Sequence, residues 1–152
     1  MPSPLPPLAE LAPGLSAAGK LDPVDIEALA QAGVRTIINN RPDNEDPGQL
    51  PAAEARRLAE AHGIAYHHIP VTAASLSRAD VDAFAATLRS APQPVVAHCR
   101  SGTRSTLLWA LARLREGADP STLIAEAARH GIDIAALPAF AARLSSAAVV
   151  GR

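Results

Sequence analysis

Short apolar runs alternate with longer amphipathic stretches along most of the chain. Three runs are rich in β-branched or apolar residues and predict buried strands, at residues 34–39, 64–69 and 94–98. Six stretches have helical periodicity, capping residues or an alanine-rich composition, and they predict helices at about 22–32, 51–62, 77–90, 104–116, 120–130 and 138–148. The pattern is one of strands separated by helices.

This alternation predicts the fold class. Strands joined through helices imply right-handed crossovers, and hence an α/β fold with a mostly parallel central sheet flanked by helices. Binding sites on such sheets lie beyond the carboxyl ends of the strands. Two polar loops leave the predicted sheet at that edge, residues 41–46 after the first strand and residues 99–104 after the third. If these two strands are neighbours, the two loops share one pocket.

The bulk composition fits a single domain. The chain has 152 residues, of which 48% are hydrophobic, enough for one core. The first thirteen residues contain five prolines and precede any periodic pattern. We therefore expect an irregular leader over residues 1–13 and one domain over residues 14–148.

Charge and hydropathy exclude two classes of partner. The net charge is −1 and no block of like charges occurs, so we expect no nucleic-acid partner. No apolar run is long enough for a membrane helix and the N-terminus lacks a signal-peptide pattern, so we expect no membrane association and a soluble, cytoplasmic protein.

The cysteine and histidine content argues against a metal site. A single cysteine excludes an internal disulfide and a cysteine-based zinc cluster. His67 and His68 are adjacent in a predicted strand and point to opposite faces, so they do not form one zinc site with His62 and His130. We expect neither a metal nor a cofactor.

The single cysteine lies in a segment with anion-binding chemistry, which we name the cysteine loop: His98-Cys99-Arg100-Ser101-Gly102-Thr103-Arg104-Ser105. A strand that ends at Cys99 and leads directly into a helix points successive backbone N–H groups at one place. Gly102 permits an unusual backbone angle, and Arg104 offers a bidentate guanidinium. This positive environment favours a reactive thiolate. A buried inert thiol is the alternative for a lone cysteine, and its neighbours here argue against it.

Candidate roles follow for the residues around it. We expect Cys99 and Arg104 to be catalytic, and the substrate anion to be bound by Arg100, Ser101, Gly102, Thr103, Ser105, Arg41 and Asp43. Arg100 is expected to face solvent, and Ser105 to cap the helix or hydrogen-bond the sulfur. Arg41 and Asp43 either pair at the rim of the pocket or merely form an Arg-Pro-Asp turn. His98 either holds the loop in shape or is a core histidine.

The spacing within the cysteine loop separates two chemistries. Protein tyrosine and dual-specificity phosphatases carry H-C-x-x-G-x-x-R-[ST], with five residues between cysteine and arginine, whereas this chain has four. Ser105 stands where such a phosphatase holds its arginine. Rhodanese-type sulfurtransferases commonly carry C-R-S-G-x-R-S, which residues 99–105 resemble. A tighter loop should suit a persulfide or thiosulfonate better than a phosphoryl group.

A missing carboxylate points the same way. Dual-specificity phosphatases place a general-acid aspartate in the loop that corresponds to residues 71–75, and this segment has none. Loss of a general acid lowers a rate by about 10²–10⁴-fold, whereas sulfane-sulfur transfer releases sulfite or a thiolate as an anion. Asp43, Glu45 or Asp46 could substitute from the other loop.

From about residue 14 to residue 144 the chain is similar to a bacterial family described as the phosphatase-like domain of beta-lactamase hydrolase-like proteins, and also as sulfur transferases. The resemblance rests on three segments, Ile37-Ile38-Asn39-Asn40-Arg41-Pro42-Asp43, Ile69-Pro70-Val71-Thr72 and residues 98–106. It implies a single-domain protein tyrosine or dual-specificity phosphatase-like fold with a rhodanese-like loop. Some members are fused to a metallo-β-lactamase-type sulfur dioxygenase, so a dioxygenase of this type is the expected protein partner.

We therefore expect a sulfurtransferase. The Cys99 thiolate would take sulfane sulfur from a small anionic donor, thiosulfate or a low-molecular-weight persulfide, and pass it from a persulfide to a thiol acceptor or to cyanide. The alternative is a phosphatase that acts through a phosphocysteine. A third possibility is a persulfide sensor or anion-binding adaptor without turnover.

Overall fold

A five-stranded sheet with the order β1-β2-β5-β3-β4 forms the centre of the molecule. The computed structural model describes residues 4–150, except for the side chains of residues 147–150. The strands are β1 (Leu8–Ala12), β2 (Leu15–Ala18), β3 (Thr36–Asn39), β4 (Ala65–His68) and β5 (Val95–His98). β2, β5, β3 and β4 are parallel, and only β1 at the edge is antiparallel. The mostly parallel sheet is as predicted.

All six predicted helices are present, and local signals explain where they begin. They are α1 (Pro23–Gln31), α2 (Ala52–Ala61), α3 (Arg78–Ser90), α4 (Thr103–Arg115), α5 (Pro120–Arg129) and α6 (Leu137–Val150). Ser77 caps α3 in a capping box with Asp80, and Asp119 caps α5 by accepting a hydrogen bond from the backbone N–H of Thr122 at 3.1 Å. Among the described residues, no helix is both long and apolar enough to cross a membrane.

The two faces of the sheet are covered by different helices. Because side chains alternate along a strand, Ile37 and Val96 pack with α1 and α2 on one face. Ile38 and Val95 pack on the other face with the buried side chains of α3 and α4, including Phe84. The central strands are therefore buried on both faces, as parallel strands require.

The predicted leader over residues 1–13 is wrong for residues 8–12, which form β1. Prolines flank this segment without interrupting it, and Ala9 and Leu11 alternate into the core while Leu8 and Glu10 are exposed. An edge strand tolerates neighbouring prolines because one of its sides has no partner strand. β2 was not predicted either, since it is four residues long and made of small residues beside Leu15.

The order of the strands brings the two polar loops together. β5 lies between β2 and β3, with His98 opposite both Ala18 and Asn39 at the carboxyl ends. β3 and β5 are neighbours, which meets the condition stated for a shared pocket, so the loop after β3 and the cysteine loop leave adjacent strands.

Candidate active site

The cysteine loop connects the end of β5 to the first turn of α4. Cys99 is fully buried, and its backbone N–H donates to the carbonyl oxygen of Ala18 at 3.2 Å. The backbone N–H of Gly102 donates to Cys99 Sγ at 3.1 Å. Gly102 is the N-cap of α4 with φ of +91°, a left-handed conformation that favours glycine. The sulfur thus lies at the positive end of α4.

The end of β2 supports the other side of this loop. The backbone N–H of Lys20 donates to the carbonyl oxygen of Arg100 at 3.1 Å. A Cβ atom at Gly19 would lie 3.1 Å from the same oxygen, so only glycine fits without displacing the loop. The contact of Gly19 and Lys20 with the cysteine loop was not predicted from the sequence. The one sequence signal for it was a glycine that interrupts an alanine-rich stretch.

Arg104 is held by a carboxylate from the loop after β3, which we name the acidic loop (residues 40–50). Its Nη1 donates to Glu45 Oε2 at 2.7 Å and to the carbonyl oxygen of Val71 at 2.8 Å, and its Nη2 donates to Glu45 Oε1 at 2.9 Å. The hydrogen bonding of Arg104 to Glu45 raises the pKa of Arg104 most, burial opposes this shift, and the charge of Cys99 raises the pKa further.

Counting donors shows what Arg104 can still bind. A guanidinium has five N–H groups, and the three hydrogen bonds above use both groups of Nη1 and one of Nη2. Among the described residues, the N–H of Nε and the second N–H of Nη2 bind no oxygen acceptor, and a hydrogen bond between Arg104 and Cys99 contributes to the raised pKa of Arg104. These two donors form one edge of the guanidinium and match two oxygens of an anion. Glu45 therefore orients Arg104 and leaves that edge open.

Arg41 holds Glu45 from the other side, and this overturns the predicted rim pair. The Arg41 side chain is 6% exposed, and its Nε donates to Glu45 Oε1 at 3.0 Å. It also pairs with Asp46. Asp43 instead accepts a hydrogen bond from the backbone N–H of Ala52 at 2.9 Å. The pairing of Arg41 with Asp43 is wrong because Asp43 stabilises the N-terminus of α2.

Glu45 is ionised at neutral pH. Its hydrogen bond from Arg104 lowers its pKa most, and Arg41 lowers it further, while burial acts in the opposite direction. A carboxylate stabilised in this way by two guanidinium groups has no proton to donate.

The remaining side chains of the cysteine loop have distinct environments. Arg100 is confirmed as solvent-facing, with a side chain 64% exposed and its Nε 3.1 Å from Asp46 Oδ2. Ser105 is fully buried, and its hydroxyl donates to Asn40 Oδ1 at 2.7 Å. The expectation that Ser105 caps α4 or contacts the sulfur is therefore wrong, because its hydroxyl connects α4 to the acidic loop. The hydroxyls of Ser101 and Thr103 lie 3.1 Å apart at the exposed mouth.

His98 contacts the backbone of the loop from a buried position. Its Nδ1 lies 3.4 Å from the carbonyl oxygen of Cys99, and its residue is 6% exposed. Burial lowers the pKa of His98 to about 4, although the hydrogen bond to Cys99 opposes this shift. His98 is therefore neutral at pH 7 and donates from Nδ1, which matches the loop-supporting alternative.

A third loop, residues 71–76, borders Arg104 and is fixed from both sides. The carbonyl oxygen of Val71 accepts from Arg104 as described. From α6, Arg143 donates to the carbonyl oxygens of Ala73 and Leu76, both at 2.9 Å. The hydroxyls of Thr72 and Ser75 bind each other at 3.0 Å.

Replacing Glu45 by glutamine tests the orientation of Arg104. The neutral amide loses the charge-assisted pair, so we expect tungstate or sulfate to bind about 10-fold more weakly. Asp46→Asn is the matched control, because Asp46 also pairs with Arg41 but does not contact Arg104. Isothermal titration calorimetry would measure both. Tighter anion binding by Glu45→Gln would mean that Glu45 blocks the anion site, contrary to the orientation described above.

Burial of neutral His98 predicts a loss of stability in mild acid. Its pKa is about 4 in the folded protein and 6.5 ordinarily, so the unfolded chain takes up a proton between these values. The contribution of neutral His98 to the free energy of unfolding is fully present above about pH 6.5. It falls as the pH drops, by about 2 kcal/mol at pH 5. Urea unfolding at pH 7 and pH 5 would measure this fall. We expect His98→Asn to remove it, and the exposed His62, replaced by Asn, to leave it unchanged. An unaltered fall in His98→Asn would contradict the assignment.

The chain is similar in sequence to known proteins of one family. Residues 8–116 match the family model described as the phosphatase-like domain of beta-lactamase hydrolase-like protein. A beta-lactamase hydrolase-like protein of Agrobacterium fabrum is 35% identical over 134 residues, which are 88% of this chain and 31% of that protein. The chain thus spans about a third of the length of this relative.

Solved structures share the fold. A Neisseria meningitidis protein described as a candidate phosphatase has a TM-score of 0.79 and 36% identity, over 91% of this chain and 96% of that chain. A kinase associated phosphatase has a TM-score of 0.72 at 17% identity, over 95% of this chain and 98% of that chain. The predicted single-domain α/β fold of the protein tyrosine and dual-specificity phosphatase type is confirmed.

Proposed function

The chain belongs to the family of phosphatase-like domains of beta-lactamase hydrolase-like proteins, and on that premise we propose that it is a phosphatase with Cys99 as its nucleophile. The observation that carries the proposal is that Cys99 Sγ and the open edge of Arg104 lie together at the N-terminus of α4. The Neisseria meningitidis relative, at 36% identity, is described as a candidate phosphatase and supports phosphoryl chemistry.

The geometry suits attack on a bound phosphate monoester. The phosphoryl oxygens would take the backbone N–H groups of the cysteine loop and the two open donors of Arg104. A lone pair of Sγ forms a bond to phosphorus while the bond from phosphorus to the leaving oxygen breaks. Water then attacks the phosphocysteine, inorganic phosphate leaves, and the thiolate is restored. Arg100, exposed at the mouth, would attract the anion.

Sulfur transfer is the second candidate, because four residues rather than five separate Cys99 from Arg104. Sγ would attack the outer sulfur of thiosulfate, the sulfur–sulfur bond would break, and sulfite would leave with the electron pair. The terminal sulfur of the persulfide would then pass to a thiol or to cyanide, which restores the thiolate. A sulfur dioxygenase-type enzyme would be a suitable partner for this reaction.

Parallel assays on the purified chain separate these candidates. Release of phosphate from 4-nitrophenyl phosphate, absent in Cys99→Ser and without thiocyanate from thiosulfate and cyanide, would support the phosphatase. Thiocyanate without phosphate release would overturn it in favour of sulfur transfer. A Cys99 adduct with the mass of one added sulfur atom, and no turnover in either assay, would instead favour the sensor or adaptor.

A further inference from the structure

We propose that this phosphatase acts on phosphoryl groups attached to acidic leaving groups, such as acidic phenols, carboxylic acids or a second phosphate, and not on alkyl phosphate esters. This inference rests on the proposed function and specifies its substrate class. The inference follows from the positions of the carboxylates in the loops around Cys99 and from the groups that those carboxylates contact.

The acidic loop offers no proton donor. Glu45 is paired with two guanidinium groups, as described above. Asp46 lies beside Arg100 and Arg41. Asp43 faces the N-terminus of α2. Each of these three carboxylates is therefore already bound by an arginine or by the backbone at the start of α2.

Glu45 cannot act both as an acid and as the residue that orients Arg104. Protonation of Glu45 would remove the bidentate pair at 2.7 and 2.9 Å that fixes the guanidinium. The open edge of Arg104 would then lose its direction at the moment when charge develops on the phosphoryl oxygens. Glu45 thus serves to orient Arg104 for anion binding, and it does not donate a proton to the leaving group.

The loop of residues 71–76 does not replace the missing acid. It contains no carboxylate, and the hydroxyls of Thr72 and Ser75 bind each other at 3.0 Å. Arg104 and Arg143 hold its backbone carbonyls from opposite sides. A loop fixed at both ends by arginine does not bring a distant side chain to the substrate.

These contacts limit the first chemical step. When Sγ bonds to phosphorus, the electron pair of the breaking phosphorus–oxygen bond goes to the leaving oxygen. Without a protein acid, that oxygen departs as an anion and takes its proton from water afterwards. A general acid accelerates such steps by about 10²–10⁴-fold, so the rate must instead depend on how stable the departing anion is.

A series of phosphate esters tests this inference on the full chain. We would measure kcat/KM, which reports the first step, for 2,4-dinitrophenyl, 4-nitrophenyl and phenyl phosphate and for β-glycerophosphate. We expect kcat/KM to fall at least about 100-fold from the 4-nitrophenyl to the phenyl ester, and release from β-glycerophosphate to be undetectable. Similar values for the two aryl esters would overturn the inference, because an enzyme that protonates its leaving group gives that result.

Asp133 is the carboxylate to use as a check. It follows Ile132, whose side chain lies 3.8 Å from where a Gly102 side chain would be, and it accepts a hydrogen bond from the backbone N–H of Ala135 at 2.8 Å. We expect Asp133→Asn to show the same dependence on the leaving group as the unaltered chain. A steeper dependence in Asp133→Asn would identify Asp133 as an acid and overturn the inference.

Failure of the proposed function itself would look different. In that case no ester, including 2,4-dinitrophenyl phosphate, would release phosphate in a manner that depends on Cys99, and the inference would fall with the function. If Cys99-dependent release occurs with every ester at similar rates, the phosphatase function stands and only the inference is wrong.

Discussion

Replacing Cys99 by serine is expected to lower kcat at least about 1,000-fold, whether the chain transfers phosphoryl groups or sulfur. A serine hydroxyl remains protonated at neutral pH, and the described hydrogen-bond partners of Cys99 Sγ, the N–H of Gly102 and the guanidinium of Arg104, are donors and not bases. The amides and Arg104 would still bind an anion. Initial rates with 4-nitrophenyl phosphate and with thiosulfate plus cyanide measure the loss.

The serine variant should remain folded, which makes the loss interpretable. A serine oxygen is smaller than sulfur but can accept the same hydrogen bond from Gly102. We therefore expect a thermal midpoint close to that of the unaltered chain, and retained binding of tungstate. Activity in Cys99→Ser or Cys99→Ala above one hundredth of the original, an approximate threshold, would contradict a nucleophilic cysteine.

Replacing Arg104 by lysine is expected to have the next largest effect, a fall in kcat/KM of about 10²–10³-fold. A lysine ammonium keeps the charge but has three donors on one atom, so it cannot bind both oxygens of Glu45 and the carbonyl of Val71 while offering a flat edge to an anion. Because arginine and lysine carry the same positive charge, the fall in kcat/KM reports the geometry of the donors at position 104. Steady-state kinetics with 4-nitrophenyl phosphate would measure it.

Arg113→Lys on the same helix is the matched control. Arg113 lies in the last turn of α4 and makes an exposed pair with Glu116, far along the helix from the cysteine loop. We expect unchanged kinetics from this variant. If Arg104→Lys behaves like Arg113→Lys, then Arg104 does not bind the reacting anion, and the site must be assigned to the loop amides alone.

The elements that local signals specify were predictable. Asp22, Ser77 and Asp119 stand before helices where their side chains or neighbours cap the first turn, and β-branched residues mark β3 and β5. These signals depend on residues a few positions apart. The β1–β2 hairpin has no such local signal, because its strands are short and rich in alanine. The strand that pairs with β2 is β5, which lies about eighty residues later in the chain.

Cys99, Gly102 and Arg104 could be recognised for the same reason, since the cysteine loop is continuous in sequence. The residues that contact this loop from elsewhere in the chain could not be recognised from the sequence. Glu45 lies 59 positions before Arg104, and nothing in the spacing shows that it would bind Arg104 rather than act as an acid. Asp43 looked like a rim residue because it follows a strand, but α2 begins close enough to take its carboxylate.

The solitary cysteine also determines how the protein would respond to oxidants. A thiolate is readily oxidised to a sulfenic acid, which many proteins trap as a disulfide with a second cysteine. This chain has only Cys99. A thiol from outside this chain must therefore reduce the sulfenic acid, and without such a reductant further oxidation would become irreversible. Activity that depends on this thiolate is thereby tied to the redox state of its surroundings.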